Sequence, residues 1–279
     1  MSNDLVAELS KLRQEIDNLR SVANPRYVYL GNGKGISTTH RGHKIFVSTE
    51  DLALTPHLIL TGTWERAIED EVLRHVVPGG AAIEVGANMG YHTLAMAEKL
   101  GSSGRLYSVE ANPEVYNLLR WTIDYNGFFP RVTLFNCAAT DRNTELEFTF
   151  RRDAVGGGHI ASNETDSSDA VRIKVPGRIL DDMLADVSDV RIFRMDAEGA
   201  EAQVLRGANK LMDRSPNMVI VTEWAPSFIR ARGDDPAQMV AQLKDRGYTA
   251  KTLTGDGIKK IDMDAIVNLG HCEIIFERL

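Results

Sequence analysis

The rhythm of apolar and polar positions changes several times along the chain. Leu5, Leu9, Leu12, Ile16 and Leu19 recur at spacings of 4, 3, 4 and 3, with charged and amide residues between them. This heptad-like seam predicts a helix over residues 1–24. The helix ends ahead of Pro25, because the residue before a proline avoids helical angles. Such a seam fits either a helix packed on its own domain or an oligomerising one. Homo-oligomer formation through it is the expectation.

Residues 25–62 form a β-rich lead-in. Short apolar and β-branched runs are cut by Gly31, Gly33, Gly35 and Gly42, which predicts a strand, a glycine-rich turn and a hairpin. The turn GNGKG lacks the spacing and the following Ser/Thr of a phosphate-binding loop.

The rest of the chain, residues 63–279, alternates between helix and strand. A helix from Glu65 to about Val77 stops at Pro78-Gly79-Gly80, and AAIEV at 81–85 is an apolar strand. A helix over Tyr91–Leu100, a strand at 105–110, a helix over Pro113–Asn126 and a strand at 131–136 follow. This order predicts a parallel sheet with helices on both faces. Residues 144–176 break the rhythm as a β-hairpin insertion whose tip carries VGGGH and ASNETDSSDA. A strand at 190–195, a helix from about Ala200 to Met212 and a strand at 217–224 resume it. A helix near 235–246 and strands near 248–253 and 272–278 complete it.

Composition narrows the function classes. An apolar content of 43% and a charged content of 25% are those of an ordinary globular protein. A net charge of −7 argues against nucleic acid as a partner, since phosphates are met by a basic face. Two cysteines, Cys137 and Cys272, are too few for a disulfide framework or a zinc cluster. No apolar run reaches the roughly 18 residues of a membrane span. The first residues lack the pattern of a signal peptide, so the expected location is the cytoplasm.

The candidate chemistry lies where strands meet helices. In EVGANMGYHTLAMA, a strand runs into Gly86-x-x-x-Gly90 and then a helix. Glycines let the backbone approach a ligand, and the free amides at a helix start suit an anion. The middle glycine of the dinucleotide fingerprint is missing, which weakens a nicotinamide reading. Glu110 ends the next strand, where a carboxylate accepts from both hydroxyls of a ribose. In FRMDAEGAEAQVLRGA, a strand delivers Asp196, and Glu198 and Glu201 follow. Glu223 ends the following strand. With strands about 4.8 Å apart, Asp196 and Glu223 can face one pocket and one metal ion.

Together these segments resemble the FkbM family of S-adenosylmethionine-dependent methyltransferases. The glycine motif is carried by Glu84, Gly86, Ala87, Asn88 and Gly90, and the E-x-N-P by Glu110, Asn112 and Pro113. Asn126-Gly127, the small residues Ala138 to Asp141 and Leu180-Asp181-Asp182 also match. The most specific stretch is Arg194, Asp196, Glu198, Gly199, Glu201, Leu205, Gly207 and Ala208. Arg194 stands where the family has a lysine, and Ala197 where valine or isoleucine is common. The resemblance covers roughly residues 60–225.

The resemblance implies an α/β class I methyltransferase fold, Rossmann-like, with a seven-stranded mixed sheet and one antiparallel strand. It implies S-adenosylmethionine as cofactor, contacted by Glu84, Gly86, Ala87, Asn88, Gly90 and Tyr91. Glu110, Ala111 and Asn112 would meet the ribose, and Cys137 and Ala138 the adenine, with Asp196 also near the cofactor. Family members mostly methylate oxygen, often on a sugar, glycan or polyketide. A hydroxyl acceptor needs a base or a metal to take its proton. The candidates are Asp196, Glu223, Glu198 and His159, with Asp196 and Glu223 as ligands of Mg2+. His159, after three glycines, is placed on a lid. Trp64-Glu65 and Trp224 are expected at the pocket mouth. Alternatives are a polyketide or protein acceptor, an NAD-dependent oxidoreductase, and an inactive S-adenosylmethionine-binding protein. A nucleic-acid methyltransferase is disfavoured, because MDAEG stands where an N/D-P-P-Y/F motif would.

Overall fold

The computed structural model describes residues 26–161, 169–254 and 257–278, and in the leading segment Glu8, Lys11, Leu12 and Glu15, which are helical. The other positions of the leucine seam lie outside the described residues.

The chain enters through an antiparallel meander, β1 (Tyr27–Gly31), β2 (Lys34–Thr38) and β3 (Lys44–Ser48), followed by α1 (Thr55–Leu60) and α2 (Arg66–His75). Alternation then sets in: β4 (Ala81–Val85), α3 (Tyr91–Leu100), β5 (Arg105–Glu110), α4 (Pro113–Tyr125) and β6 (Val132–Asn136). Next come β7 (Ala138–Ala139), β8 (Thr144–Arg151), β9 (Ala154–Ile160) and β10 (Val171–Arg178). Then follow α5 (Leu180–Met183), β11 (Val190–Met195), α6 (Glu201–Arg206), α7 (Asn209–Asp213), β12 (Val219–Trp224), α8 (Pro226–Ala231) and α9 (Pro236–Asp245). The strands β13 (Tyr248–Thr254) and β14 (Gly257–Ile261), a 3-10 turn at Met263–Asn268 and β15 (Cys272–Arg278) finish it.

The central sheet has the order β14-β13-β15-β12-β11-β4-β5-β6. The pairs β6-β5-β4-β11-β12 are parallel, while β15 is antiparallel to both of its neighbours. This is the class I methyltransferase arrangement, with one correction to the expectation. The sheet has eight strands, not seven, because β14 folds back on β13 as an antiparallel edge strand.

Burial on both faces explains the near-continuous apolar strands. Ile83, Val85, Phe193, Met195 and Ile220 pack on the face covered by α6–α9. Ala82, Leu106, Ile192 and Val221 pack on the face covered by α1–α4 and the meander. Trp224 is fully buried in the first of these clusters. It therefore does not stand at the pocket mouth, since the pleat turns Trp224 and Glu223 to opposite faces.

Three further expectations are revised. The insertion supplies β8, β9 and β10 to a four-stranded sheet of order β7-β10-β8-β9, not a single hairpin. Its glycine triplet lies within β9 rather than at a tip, with His159 paired to Thr149 across β8. The helix expected over 200–212 is broken into α6 and α7 at Gly207-Ala208. There the Asp181 carboxylate accepts from the N–H groups of Lys210 (2.9 Å) and Leu211 (2.7 Å), capping α7 from outside. Gly207 is required because a Cβ would lie 2.2 Å from the Thr140 carbonyl oxygen. The short helices α1 and α8 had no clear periodic signature. Among the described residues, no helix is long and apolar enough to cross a membrane.

Candidate active site

The carboxyl ends of β4, β5 and β11 open on one cavity of about 620 Å³. Ligands bind at this edge of open α/β sheets because the loops there splay apart. Gly86, Asn88, Glu110, Ala111, Cys137, Ala138, Asp196 and Ala197 form its floor and sides. Strand β9 closes it through Val155, Gly156, Gly158, His159 and Ile160. The glycines of β9 are a close-approach device. A Cβ on Gly156 would lie 3.3 Å from Asn88 Nδ2, and one on Gly158 2.8 Å from Phe148 Cζ. Sequence reasoning missed Phe148, Val155, Gly156 and Ile160; a glycine triplet inside an alternating run was the available signal.

The glycine loop differs from its expected use. The amides of Gly86 and Ala87 donate to Val109 O, that of Asn88 to Glu110 Oε2, that of Met89 to Asn88 Oδ1, and that of Gly90 to Ala87 O. None of these five remains for an anion. Gly86 is set by the neighbouring strand end, where a Cβ would lie 1.9 Å from Asp196 O. Gly90 has φ +98° and packs against Leu119. The loop lines the cavity with Gly86 and Asn88 instead.

Several expected cofactor residues lie behind this wall. Glu84 is fully buried under the loop and accepts from Thr93 Oγ1 (2.6 Å) and Ser108 Oγ (3.1 Å). Burial pushes its carboxyl up to about 7. Tyr91 donates to Glu69 Oε2 and lies beside His40, so it fastens the lead-in segment. Ala87 is core. Asn112 caps α4 by accepting from the Glu114 N–H at 3.0 Å. Glu110 does face the cavity. Its two carboxylate oxygens accept from the Asn88 N–H (2.9 Å) and the Asn112 N–H (2.8 Å). Burial pushes it up to about 7 despite those bonds. Burial also pushes the Cys137 thiol up to about 11, which keeps it neutral.

Beside the cavity, Asp196, Glu198 and Glu223 bring carboxylate oxygens within 4.8 Å of one another. Asp196 belongs to both places, while Glu198 and Glu223 lie outside the cavity lining. Register accounts for the meeting, since Met195 pairs with Val85 on one side and Thr222 on the other. Left-handed backbone at Glu198 (φ 52°) and Gly199 (φ 97°) turns the chain back after the strand. The Glu201 carboxylate fastens that turn by accepting from the Ala197 N–H at 2.9 Å. Glu273 on β15 pairs opposite Glu223. His271 Nε2 lies 2.6 Å from Glu223 Oε1, and Arg194 donates to Asp196 Oδ2 at 3.0 Å.

This crowding of buried acid raises the carboxyls. Burial, then the charge of Asp196, pushes Glu198 up to about 8, and burial with Asp196 and Glu198 pushes Glu223 up to about 10. Burial pushes Glu273 up to about 8 and Glu201 up to about 7. Glu65 lies 3.8 Å from Arg194 and 3.5 Å from His92; despite the opposing effect of burial, the His92 ring and the Arg194 charge hold it below the usual carboxylate value. Buried neutral His92 is lowered by burial and by Arg194. His159 lines the cavity from β9, with Nδ1 2.8 Å from Gly157 O.

Residues 84–250 match the sequence profile of the methyltransferase FkbM domain. The chain belongs to the FkbM methyltransferase family. It is thus a methyltransferase of the S-adenosylmethionine-dependent class, and the sheet order agrees. Methyltransferase sdnD of Sordaria araneosa is 23% identical over 194 residues, covering 60% of this chain and 72% of that protein. A protein-L-isoaspartate O-methyltransferase of Methanothrix thermoacetophila is 44% identical over only 46 residues, 16% of this chain and 22% of that protein. Among solved structures, an O-methyltransferase of Bacillus cereus in complex with SAH has a TM-score of 0.45 at 14% identity, covering 77% of this chain and 80% of that one. A transferase of Pyrococcus horikoshii scores 0.47 at 11% identity over 90% of this FkbM chain and 74% of its own.

Proposed function

We propose that this FkbM methyltransferase moves a methyl group from S-adenosylmethionine to a hydroxyl of a sugar, glycan or glycosylated natural product, with Mg2+ at the acid cluster. The observation that carries this reading is the Asp196–Glu198–Glu223 cluster joined to the cavity through Asp196. A hydroxyl is a weak acid, so its transfer chemistry needs a group that takes or stabilises charge as the proton leaves.

The residues fit the cofactor. Glu110 is a buried carboxylate with acceptor capacity left after two backbone bonds. A ribose diol would supply the missing donors. Ala111, Cys137, Ala138 and Ala139 make an apolar wall suited to a flat base. When bound, S-adenosylmethionine supplies a methyl group on a positively charged sulfur. The donor set also fits a hard divalent cation: three carboxylates, with Glu223 Oε2 buried and without a hydrogen-bond partner. Mg2+ bound there supplies positive charge that lowers the pKa of an acceptor hydroxyl.

The chain's own residues do the rest. Asp196 is the carboxylate nearest both compartments and accepts the hydroxyl proton. Glu198 and Glu223 complete the carboxylate set beside it. His159 offers a ring nitrogen from the facing wall, and Phe148, Val155 and Ile160 exclude water. Strand β9 fixes both partners against Asn88, which turns an encounter into an aligned pair. A homo-oligomer through the leading helix belongs to this reading, since helical Leu12 is half exposed.

A label-transfer experiment tests it. The protein is incubated with methyl-labelled S-adenosylmethionine and an extract of its source cells, after chelation and with Mg2+ restored. Label in a glycan or glycoside, dependent on Mg2+, is expected. Label in protein or nucleic acid would overturn the acceptor class. Activity untouched by prolonged chelation would remove the metal.

A further inference from the structure

A second cavity, of about 980 Å³, lies on the other side of Val155 from the first. We propose that it is the subsite for the non-reacting part of the acceptor, and that it takes an uncharged, hydroxyl-rich oligosaccharide. This rests on the glycan reading above and says where such a glycan sits.

The groove is built by three separate parts of the chain. Its floor is one face of α4, where Glu114, Asn117 and Trp121 follow at helical spacing. One wall is the Asn32–Gly33–Lys34 turn, the GNGKG segment for which the cofactor cavity has no use. The roof is the turn between β8 and β9, which carries Arg152. This roof is anchored to the lead-in segment. The Leu52 N–H donates to Asp153 O at 2.8 Å, and the Val155 N–H donates to Asp51 Oδ1 at 3.3 Å.

The lining selects the ligand class. Two cations, Lys34 and Arg152, face two carboxylates, Glu50 and Glu114, so the groove carries no net charge to favour a phosphate or an acidic peptide. Arg152 bridges Glu114 at 2.8 Å and Glu50 at 3.8 Å. All three side chains are at least half exposed. Such wet ion pairs are weak and exchange readily for hydroxyl partners. Trp121 adds an aromatic body, with the Lys34 ammonium 5.4 Å from its ring centroid. An amphipathic ring flanked by amides, carboxylates and a guanidinium matches the alternating C–H faces and hydroxyls of a pyranose.

Adjacency to the cofactor cavity gives the groove a role. Strand β9 leaves the roof at Ala154, passes Val155, which lines both spaces, and reaches Gly156 against Asn88. One residue separates the two. An acceptor seated on Trp121 reaches the cavity by crossing Val155, and its remote contacts then orient the reacting hydroxyl.

The test uses the full chain, a printed array of neutral and anionic oligosaccharides, and the variants Asn117→Ala, Arg152→Ala and Trp121→Leu. The first two change exposed polar groups, so they guard against a folding defect in the third. Binding of a neutral oligosaccharide is expected, weakened about tenfold or more in each variant, with the dissociation constant for S-adenosylhomocysteine unchanged. In the methyl-transfer assay, KM for that oligosaccharide should rise by a similar factor. No binding on the array, binding only of anionic glycans, or equal binding by all variants would overturn the subsite. If label still enters a glycan while KM is the same in all variants, the subsite falls and the glycan reading stands. If label enters no glycan, that reading falls with it.

Discussion

Replacing Glu110 with alanine should separate affinity from stability. The carboxylate accepts from two backbone N–H groups, at 2.9 and 2.8 Å, in a place where only 8% of the residue is exposed. Leaving two buried donors without acceptors costs about 1–3 kcal/mol each, hence about 2–6 kcal/mol. Against this stands the cost of keeping the group there. Its value is pushed from 4.5 to about 7, so ionising it in the fold costs about 3 kcal/mol more than in the unfolded chain. At neutral pH the two effects largely offset, and the melting temperature should move by only a few degrees. Cofactor affinity has no such compensation. Two charge-assisted hydrogen bonds to a diol are worth about 1.5–3 kcal/mol each, so affinity should fall about 100-fold or more. Isothermal titration with S-adenosylhomocysteine measures this. The sign with pH follows: the folded value is raised, so the acceptor form is lost as pH falls through about 7, and wild-type affinity should drop toward pH 5.5. Binding by the alanine variant within threefold of wild type, or affinity flat across this range, would refute the role given to Glu110.

Two other outcomes are expected. Gly207→Ala should lower the melting temperature well below that of Gly233→Ala. The first forces a Cβ to 2.2 Å from Thr140 O, while the second meets nothing within 4 Å and bears only the strain of φ +82°; equal losses in calorimetry would contradict the packing account. The metal-free protein should lose stability as pH rises from 4.5 to about 10. Glu198, Glu223 and Glu273 all have folded values raised from 4.5 to about 8 or above, so the stability present below 4.5 is lost as pH rises through those values. Mg2+ should restore it in wild type but not in Glu223→Gln, and a pH profile unchanged by Mg2+ would count against a cation at the cluster.

Much of the fold was readable because its signals are local. AAIEV, Tyr91–Leu100 and RLYSVE have the same ends in sequence pattern and structure. A buried parallel strand needs a continuous apolar run, and a helix needs a stop such as Gly101. The short helices α1 and α8 were not readable, since one or two turns give too little periodicity. The break at Gly207 was hidden for another reason, because its cause is a carbonyl 67 residues earlier in the chain, at Thr140.

The site divides in the same way. The chain alone determined the family, through Glu84, Gly86, Glu110, Asp196, Glu198 and Gly199 at their spacings, and it determined that these carboxylates stand at strand ends. Tertiary structure decided what each does. Glu84 serves the underside of the glycine loop because Thr93 and Ser108 reach it there, and the loop amides are consumed by Val109 and Glu110. Strand register, which no local pattern encodes, brings Glu223 and Glu273 beside Asp196, where burial first and the neighbouring charge second raise their pKa values. The cavity wall comes from β9, whose glycines read as a loose tip in one dimension. They became a closed surface only when the β8–β9 hairpin brought Gly156 against Asn88, a residue distant in the chain. Local preference follows from covalent neighbours and is written in order along the chain, whereas electrostatics and close approach depend on which distant segments share a volume.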